Sequence, residues 1–102
     1  MQKPVPDPPH LPKKPHHVTA SAYFGTCHNA HRPMFTVRAG IEVEDALVCA
    51  LAALKAAYET NALALEQADE PLRNLLTATE NSLEKGRALT EAVLDGVEGQ
   101  GL

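Results

Sequence analysis

Residues 41–97 read IEVEDALVCALAALKAAYETNALALEQADEPLRNLLTATENSLEKGRALTEAVLDGV, and this stretch decides the fold. Its apolar residues recur at steps of four and three in two blocks, which is the spacing of helices that each bury one stripe. The first stripe is Leu47, Leu51, Leu54, Tyr58, Asn61 and Leu65; the second is Leu72, Leu76, Thr79, Leu83, Gly86, Val93 and Val97. The sequence predicts two long amphipathic helices.

The helix boundaries are indicated by charged residues, proline and glycine. Helix one should begin near Glu42, because acidic side chains crowd its first turn, where the helix dipole favours them. Asp69, Glu70 and Pro71 provide a break and a restart, and Gly96, Gly99 and Gly101 should end helix two. A connection of so few residues predicts an antiparallel hairpin over residues 41–98 and an all-α fold class.

The antiparallel register predicts which side chains meet. Pairing outward from the turn places Tyr58 near Leu83, Leu51 near Leu89, and Leu47 near Val93. Gly86 then falls opposite Leu54 and Tyr58, with its missing side chain leaving room for them, at a cost of about 1 kcal/mol in helix propensity. Asn61 should face Thr79 as a hydrogen-bonded amide, or else act as a register-fixing or ligand-contacting residue of the seam.

The apolar stripes are wider than a two-helix seam requires. We therefore expect self-association, as a homodimer built like a four-helix bundle, or binding of an unidentified protein partner. The expected interface residues are Leu47, Leu51, Leu54, Tyr58, Leu75, Leu83, Leu89 and Val93. Val43, Ala50, Ala57, Leu63, Leu75, Leu89 and Leu94 should stay partly in water in a single chain.

Two further segments precede the helices. Residues 1–18 are dense in proline and are expected to form a disordered leader, because proline excludes helix and sheet hydrogen bonding. Residues 19–40 should form an extended segment with one short strand from Met34 to Arg38, followed by a turn at Gly40. This strand could pair with residues 20–24, with a second copy of itself, or lie along the helices.

The stretch Phe35-Thr36-Val37-Arg38-Ala39-Gly40, followed by an acidic turn and Asp45-Ala46-Leu47, resembles a family of short pseudomonad proteins classed as a domain of unknown function. Members of that family also have a variable proline-rich leader, a phenylalanine-x-valine-x-x-glycine element, an alanine-leucine pair and two helices. The similarity covers roughly residues 35–94. It implies the two-helix architecture and a bacterial cytoplasmic setting, and it implies no mechanism.

Charge is distributed unevenly along the chain. Residues 1–38 hold five basic side chains against one acidic, whereas residues 39–102 hold four basic against twelve acidic. The basic residues form no dense patch, and the second helix is acidic, so nucleic-acid binding is disfavoured. A solvated basic tail that contacts the acidic body explains the pattern more simply.

The five histidines and Cys27 all precede the helices, and imidazole and thiolate are preferred ligands of zinc and copper. The candidate ligands are His16, His17, Cys27, His28 and His31. Their spacing does not reproduce a zinc finger, so we expect adventitious binding and no resident cofactor. A small metal-binding protein is nevertheless the alternative function, and metal-dependent chemical shifts confined to residues 10–31 would support it.

The sequence offers no recognisable catalytic constellation. Cys27 and His28 are adjacent in the chain and lack an orienting carboxylate or an oxyanion-stabilising loop, and no glycine-rich phosphate loop opens a helix. No secretory signal is evident, and the apolar run from Ala46 to Leu54 is too short to cross a bilayer. We therefore expect a non-enzymatic, cytoplasmic protein with free cysteines that acts as an adaptor or regulator through protein contacts.

Overall fold

The computed structural model describes residues 17–99. The chain divides into two compact units, one ending at Glu42 and the other beginning at Val43. Most of the predicted leader, residues 1–16, lies outside the described residues. The protein is mostly helical, with two long helices packed together and one small two-stranded sheet.

The helical unit consists of α1 (Val43–Gln67) and α2 (Leu72–Gly99). Helix α1 begins one residue after the predicted start, and its first turn carries Glu44 and Asp45 near the positive end of the helix dipole. Pro71 immediately precedes α2, where its missing amide hydrogen costs no helical hydrogen bond. Of the glycines expected to end α2, Gly96 lies within the helix, and Gly99 is its last residue.

Contacts between the helices follow a consistent order. The Arg73 guanidinium donates a hydrogen bond to the Leu65 carbonyl (2.9 Å), and the Asn61 amide donates to the Leu76 carbonyl (3.0 Å). A Cβ atom at Gly86 would lie 3.9 Å from a methyl group of Leu54. The chain therefore moves back along α1 as it advances along α2.

The predicted stripe of α1 faces the interior along its whole length. Leu47, Leu51, Leu54, Tyr58 and Leu65 are partly buried, and Asn61 is 8% exposed.

The predicted stripe of α2 is confirmed at Leu76, Leu83, Gly86 and Val97, which are partly buried, but it is wrong near Val93. Among the described residues, Leu94 is the most buried apolar one at 7% exposure, whereas Val93 is 53% exposed. The predictions that Val93 packs near Leu47 and that Leu94 stays partly in water were therefore wrong. Arg87 lies over the Tyr58 ring, 5.0 Å from its centroid. Arg87 as well as Gly86 therefore faces α1. Leu94 lies seven residues after Arg87, on the same side of the helix, so it also faces α1.

The N-terminal unit contains β1 (Ala22–Phe24) and β2 (Phe35–Val37), which pair antiparallel with Tyr23 opposite Thr36. Three partners were considered for the predicted strand: residues 20–24, a second copy of the strand, and the helices. In the structure the strand pairs with residues 22–24 of the same chain. The Phe24 and Phe35 rings lie 5.5 Å apart as a cross-strand pair. Although the fold was expected to be all-α, this sheet is a genuine second element.

Hydrogen bonds of Thr19 organise the chain that follows β2. Its hydroxyl donates to the Arg38 carbonyl (2.8 Å) and accepts from the Ile41 amide (3.1 Å). Gly40 has φ of +89°, a value that glycine adopts without steric cost, which confirms the predicted turn. Val18 also forms an isolated antiparallel bridge with Glu42, so described structure begins at the last residue of the expected leader.

A first testable prediction concerns Gly86, whose Cβ position meets only ordinary van der Waals contact. Gly86→Ala should raise the free energy of unfolding by about 0.5–1 kcal/mol, because alanine is the better helix former. Gly86→Leu should lower it by about 1–3 kcal/mol, because atoms beyond Cβ would overpack against Leu54. Urea unfolding followed by circular dichroism measures both, and a more stable leucine variant would contradict the packing described here.

Candidate protein-binding surface of the helix pair

One flank of α1 carries only uncharged side chains, and all of them except Gln67 are small. These positions recur at steps of four and three beside the buried stripe, so they lie along one side of the helix. The residues are Ala46, Ala50, Ala53, Ala57, Thr60, Ala64 and Gln67. All but Ala46 are exposed, and the flank is therefore a shallow channel of low relief.

The matching flank of α2 is also uncharged, but it carries large apolar side chains. Leu75 and Leu89 are each 65% exposed, and Leu72 and Val93 are exposed to a similar degree. Between these two pairs stand smaller residues at the same helical spacing: Thr79, Ser82 and Gly86. This flank forms a leucine ridge with a low central part.

An open groove shows that the two flanks belong to one face of the helix pair. The groove has a volume of about 560 Å³, and Ala57, Thr60 and Ala64 of the channel line it together with Thr79 of the ridge. We call this combined surface the uncharged face, because none of its fourteen helical positions holds an ionisable residue.

The opposite flanks of the two helices carry charged side chains. Helical spacing places these residues on the other side of both helices: Lys55, Glu59, Glu66, Glu84, Glu91 and Asp95. Such segregation is typical of elements that bury one side and expose the other. In the single chain the uncharged face nevertheless stays open to solvent.

The predicted interface residues fall into two groups. Leu47, Leu51, Leu54, Tyr58 and Leu83 are partly buried between α1 and α2, so in the single chain they hold the two helices together. Leu75, Leu89 and Val93 are exposed on the leucine ridge. Only this second group is available to another molecule without separating the helices.

Asn61 is the one buried polar residue among those described. Its amide is hydrogen-bonded, as predicted, but the acceptor is the Leu76 carbonyl, whereas the Thr79 hydroxyl donates to the carbonyl of Leu75 on its own helix (3.2 Å). Asn61 also lines the groove. It therefore ties α1 to α2 at the floor of the uncharged face.

The candidate metal ligands are spread over the N-terminal unit. Cys27 and His28, with Asn29, adopt positive φ angles of 52°, 59° and 67° in a tight turn, and His31 donates from Nδ1 to the Arg32 carbonyl (2.7 Å). Within residues 17–99, no three histidine, cysteine or acidic side chains come together as a metal site would require. His16 lies outside this range.

Helix α1 is also long and apolar enough to cross a membrane, by length and composition alone. The apolar run from Ala46 to Leu54, which was judged too short to cross a bilayer, is only part of this 25-residue helix. One such helix is weak evidence, because core helices of soluble proteins meet the same criterion. Only 6% of its apolar window is buried in the single chain.

Comparison with protein families, curated proteins and solved structures gives no match to this chain.

The apolar stripes were predictable from the sequence, whereas the uncharged face was not predicted as one surface. The sequence does contain a signal for this face: on each helix, one set of heptad positions holds no charged residue. Thr60 and Ala64 were missed because neither is strongly apolar, although both line the groove.

Proposed function

We propose that the chain is a non-catalytic bacterial adaptor or regulatory protein that binds another protein chain through its helix pair, an antiparallel hairpin. The observation that carries this proposal is the uncharged face, with Leu75 and Leu89 each 65% exposed at its edge. Large apolar side chains grouped on a face without charges are characteristic of protein-interaction surfaces.

The chemistry of the uncharged face also supports binding over catalysis. Its polar groups are hydroxyls and amides, and the Thr79 hydroxyl and the Asn61 amide already make hydrogen bonds to backbone carbonyls. None of these groups is a general base or an activated nucleophile. The groove offers shape and apolar area to a partner.

A capture experiment with matched variants tests this proposal. Full-length chain carrying Leu75→Glu should lose the protein that the wild type captures from lysate of its own cells, because a buried unpaired carboxylate opposes binding. Asn81→Glu, on the charged side of the same helix, should retain it. Both side chains are exposed, so circular dichroism should show unchanged helicity. Equal capture by the two variants would contradict the proposed surface.

We also propose a cytoplasmic location, in keeping with two exposed free cysteines, Cys27 and Cys49. Cell fractionation should place the protein in the soluble fraction. Retention in membranes after carbonate washing would contradict this location and would instead support a membrane-spanning α1.

A further inference from the structure

We infer that the partner on the uncharged face is a second copy of this chain, with the leucine ridge of each copy seated in the alanine channel of the other. This inference rests on the proposed function, since it names the chain that the face binds. Three features carry it: self-complementary relief, the size of the face and the placement of charge.

The relief of the face is complementary to itself. A two-fold axis parallel to the helices, lying between two facing pairs, sets α2 of one copy over α1 of the other and preserves the height of every residue. Height is fixed by the contacts of Arg73 with Leu65 and Asn61 with Leu76, and by the approach of Leu54 to Gly86. Ridge and channel residues can therefore be matched level by level.

Three large residues of the ridge come level with alanines of the channel. Counting along the helices from those contacts, to within about one residue, Leu75 comes level with Ala64, Leu89 with Ala50, and Val93 with Ala46. In the low centre, Thr79 comes level with Thr60. An arrangement that set α2 over α2 would instead oppose leucines to leucines and leave the alanines uncovered.

The face has the size that a stable dimer requires. Helix α1 has 25 residues and is about 38 Å long at 1.5 Å per residue. Two helices packed about 8–10 Å apart give a face about 18–20 Å wide, hence a footprint of roughly 700 Å². Specific protein–protein interfaces bury about 800 Å² per partner.

The charge of the helix pair also permits self-association on this face alone. Residues 43–99 hold eleven acidic and four basic side chains, so two copies repel wherever their charged flanks approach. Face-to-face pairing keeps those flanks on opposite outer surfaces of a four-helix bundle. The same acidic character disfavours an anionic lipid surface as the partner.

The first test is the mass of the full-length protein in solution. Size exclusion with light scattering at about 10 μM, where a standard-size interface is occupied, should give twice the 10.9 kDa chain mass. A monomer would overturn the inference, and it would leave the proposed function standing if Leu75→Glu still abolished capture of a different protein. Binding of that monomer to phosphatidylcholine–phosphatidylglycerol vesicles, lost on Leu75→Glu, would likewise overturn it.

The second test asks whether ridge and channel meet in trans. Ala50→Glu and Leu89→Lys should each weaken self-association by about 100-fold, because each buries unpaired charge. Mixing the two variants should restore a heterodimer, detected by native mass spectrometry, since the introduced carboxylate of one copy would face the introduced ammonium group of the other. Ala52→Glu and Asn81→Lys, exposed outside the uncharged face, are matched controls that should dimerise like the wild type.

Two results of the second test would overturn the arrangement. The first is that Ala50→Glu and Leu89→Lys each dimerise as strongly as the wild type, which would place the interface elsewhere. The other is failure of the mixture to associate while each variant keeps wild-type helicity, which would show that these positions do not meet across the interface.

Discussion

Asn61→Asp should lower the free energy of unfolding of the helix pair by about 3 kcal/mol at pH 7, because it places an unpaired carboxylate at a buried position. The Asn61 amide donates to the Leu76 carbonyl at 3.0 Å and the residue is 8% exposed. An ionised aspartate cannot donate, and it would face the carbonyl oxygen with like charge. Both the lost bond and the desolvation act in the same direction.

The loss should depend on pH in a defined direction. Burial would raise the pKa of the introduced carboxyl in the folded state above its unfolded value of about 3.9. The deficit relative to wild type should therefore be largest above the folded-state pKa and shrink as pH falls through it. Below the unfolded value the protonated acid can donate to Leu76, and the remaining deficit should be small.

Urea unfolding of wild type and variant at equal protein concentration, between pH 4 and 8, measures this difference. Asn61→Leu is the control, because it removes the amide without adding charge. Its free energy of unfolding should stay within about 1.5 kcal/mol of wild type, with no extra pH dependence. A pH-independent loss in the aspartate variant would show that water from the groove solvates this position.

The sequence predicted the helix pair well because periodicity reports burial directly. Each of the six residues predicted to line the interior of α1, from Leu47 to Leu65, is buried or partly buried. Their side chains are large and evenly spaced, so only one rotation of α1 buries them. Helix boundaries near Glu42 and Pro71 were also recognisable, since their signals act within one turn of the helix end.

The rotation of α2 could not be predicted, because two adjacent heptad stripes share several residues. One stripe passes through Thr79, Gly86 and Val93, and the other through Glu80, Arg87 and Leu94. Apolarity alone favours the first, except at Leu94. In the structure Gly86 of the first stripe approaches Leu54, while Arg87 and Leu94 of the second stripe also turn toward α1. Arg87 stacks on Tyr58, an interaction between long side chains that a pattern of apolar spacing does not register.

The geometry of the loop between β1 and β2 was not predicted either. Three consecutive residues, Cys27, His28 and Asn29, adopt positive φ, which is uncommon for residues other than glycine, although asparagine and histidine are enriched there. The Thr26 carbonyl accepts hydrogen bonds from the amides of Ala30 (2.9 Å) and His31 (3.2 Å), which stabilises the turn. Composition had marked this stretch for metal chemistry, whereas its described role is to reverse the chain.

Gly25→Ala should be the most damaging conservative change in the N-terminal unit, costing about 2–4 kcal/mol in the stability of its sheet. Gly25 has φ of +85°, and a Cβ atom there would lie 2.6 Å from Cδ2 of Phe35, which real contacts essentially never show. Moving the Phe35 ring away would disturb its pairing with the Phe24 ring across the strands. The alanine would therefore impose both backbone strain and a steric clash.

Gly40→Ala separates these two contributions. Gly40 has nearly the same φ, +89°, but the nearest atom to its Cβ position is the flexible Arg38 guanidinium at 3.8 Å. The stability of the Gly40→Ala variant should fall only by the cost of placing alanine in a left-handed backbone conformation, about 1–2 kcal/mol. Amide exchange of Tyr23 and Thr36, which are register partners in the sheet, measures local stability in both variants. Faster exchange in Gly25→Ala than in Gly40→Ala is the expected result, and equal rates would mean that the Phe35 ring yields without loss, so that the aromatic pair does not stabilise the sheet.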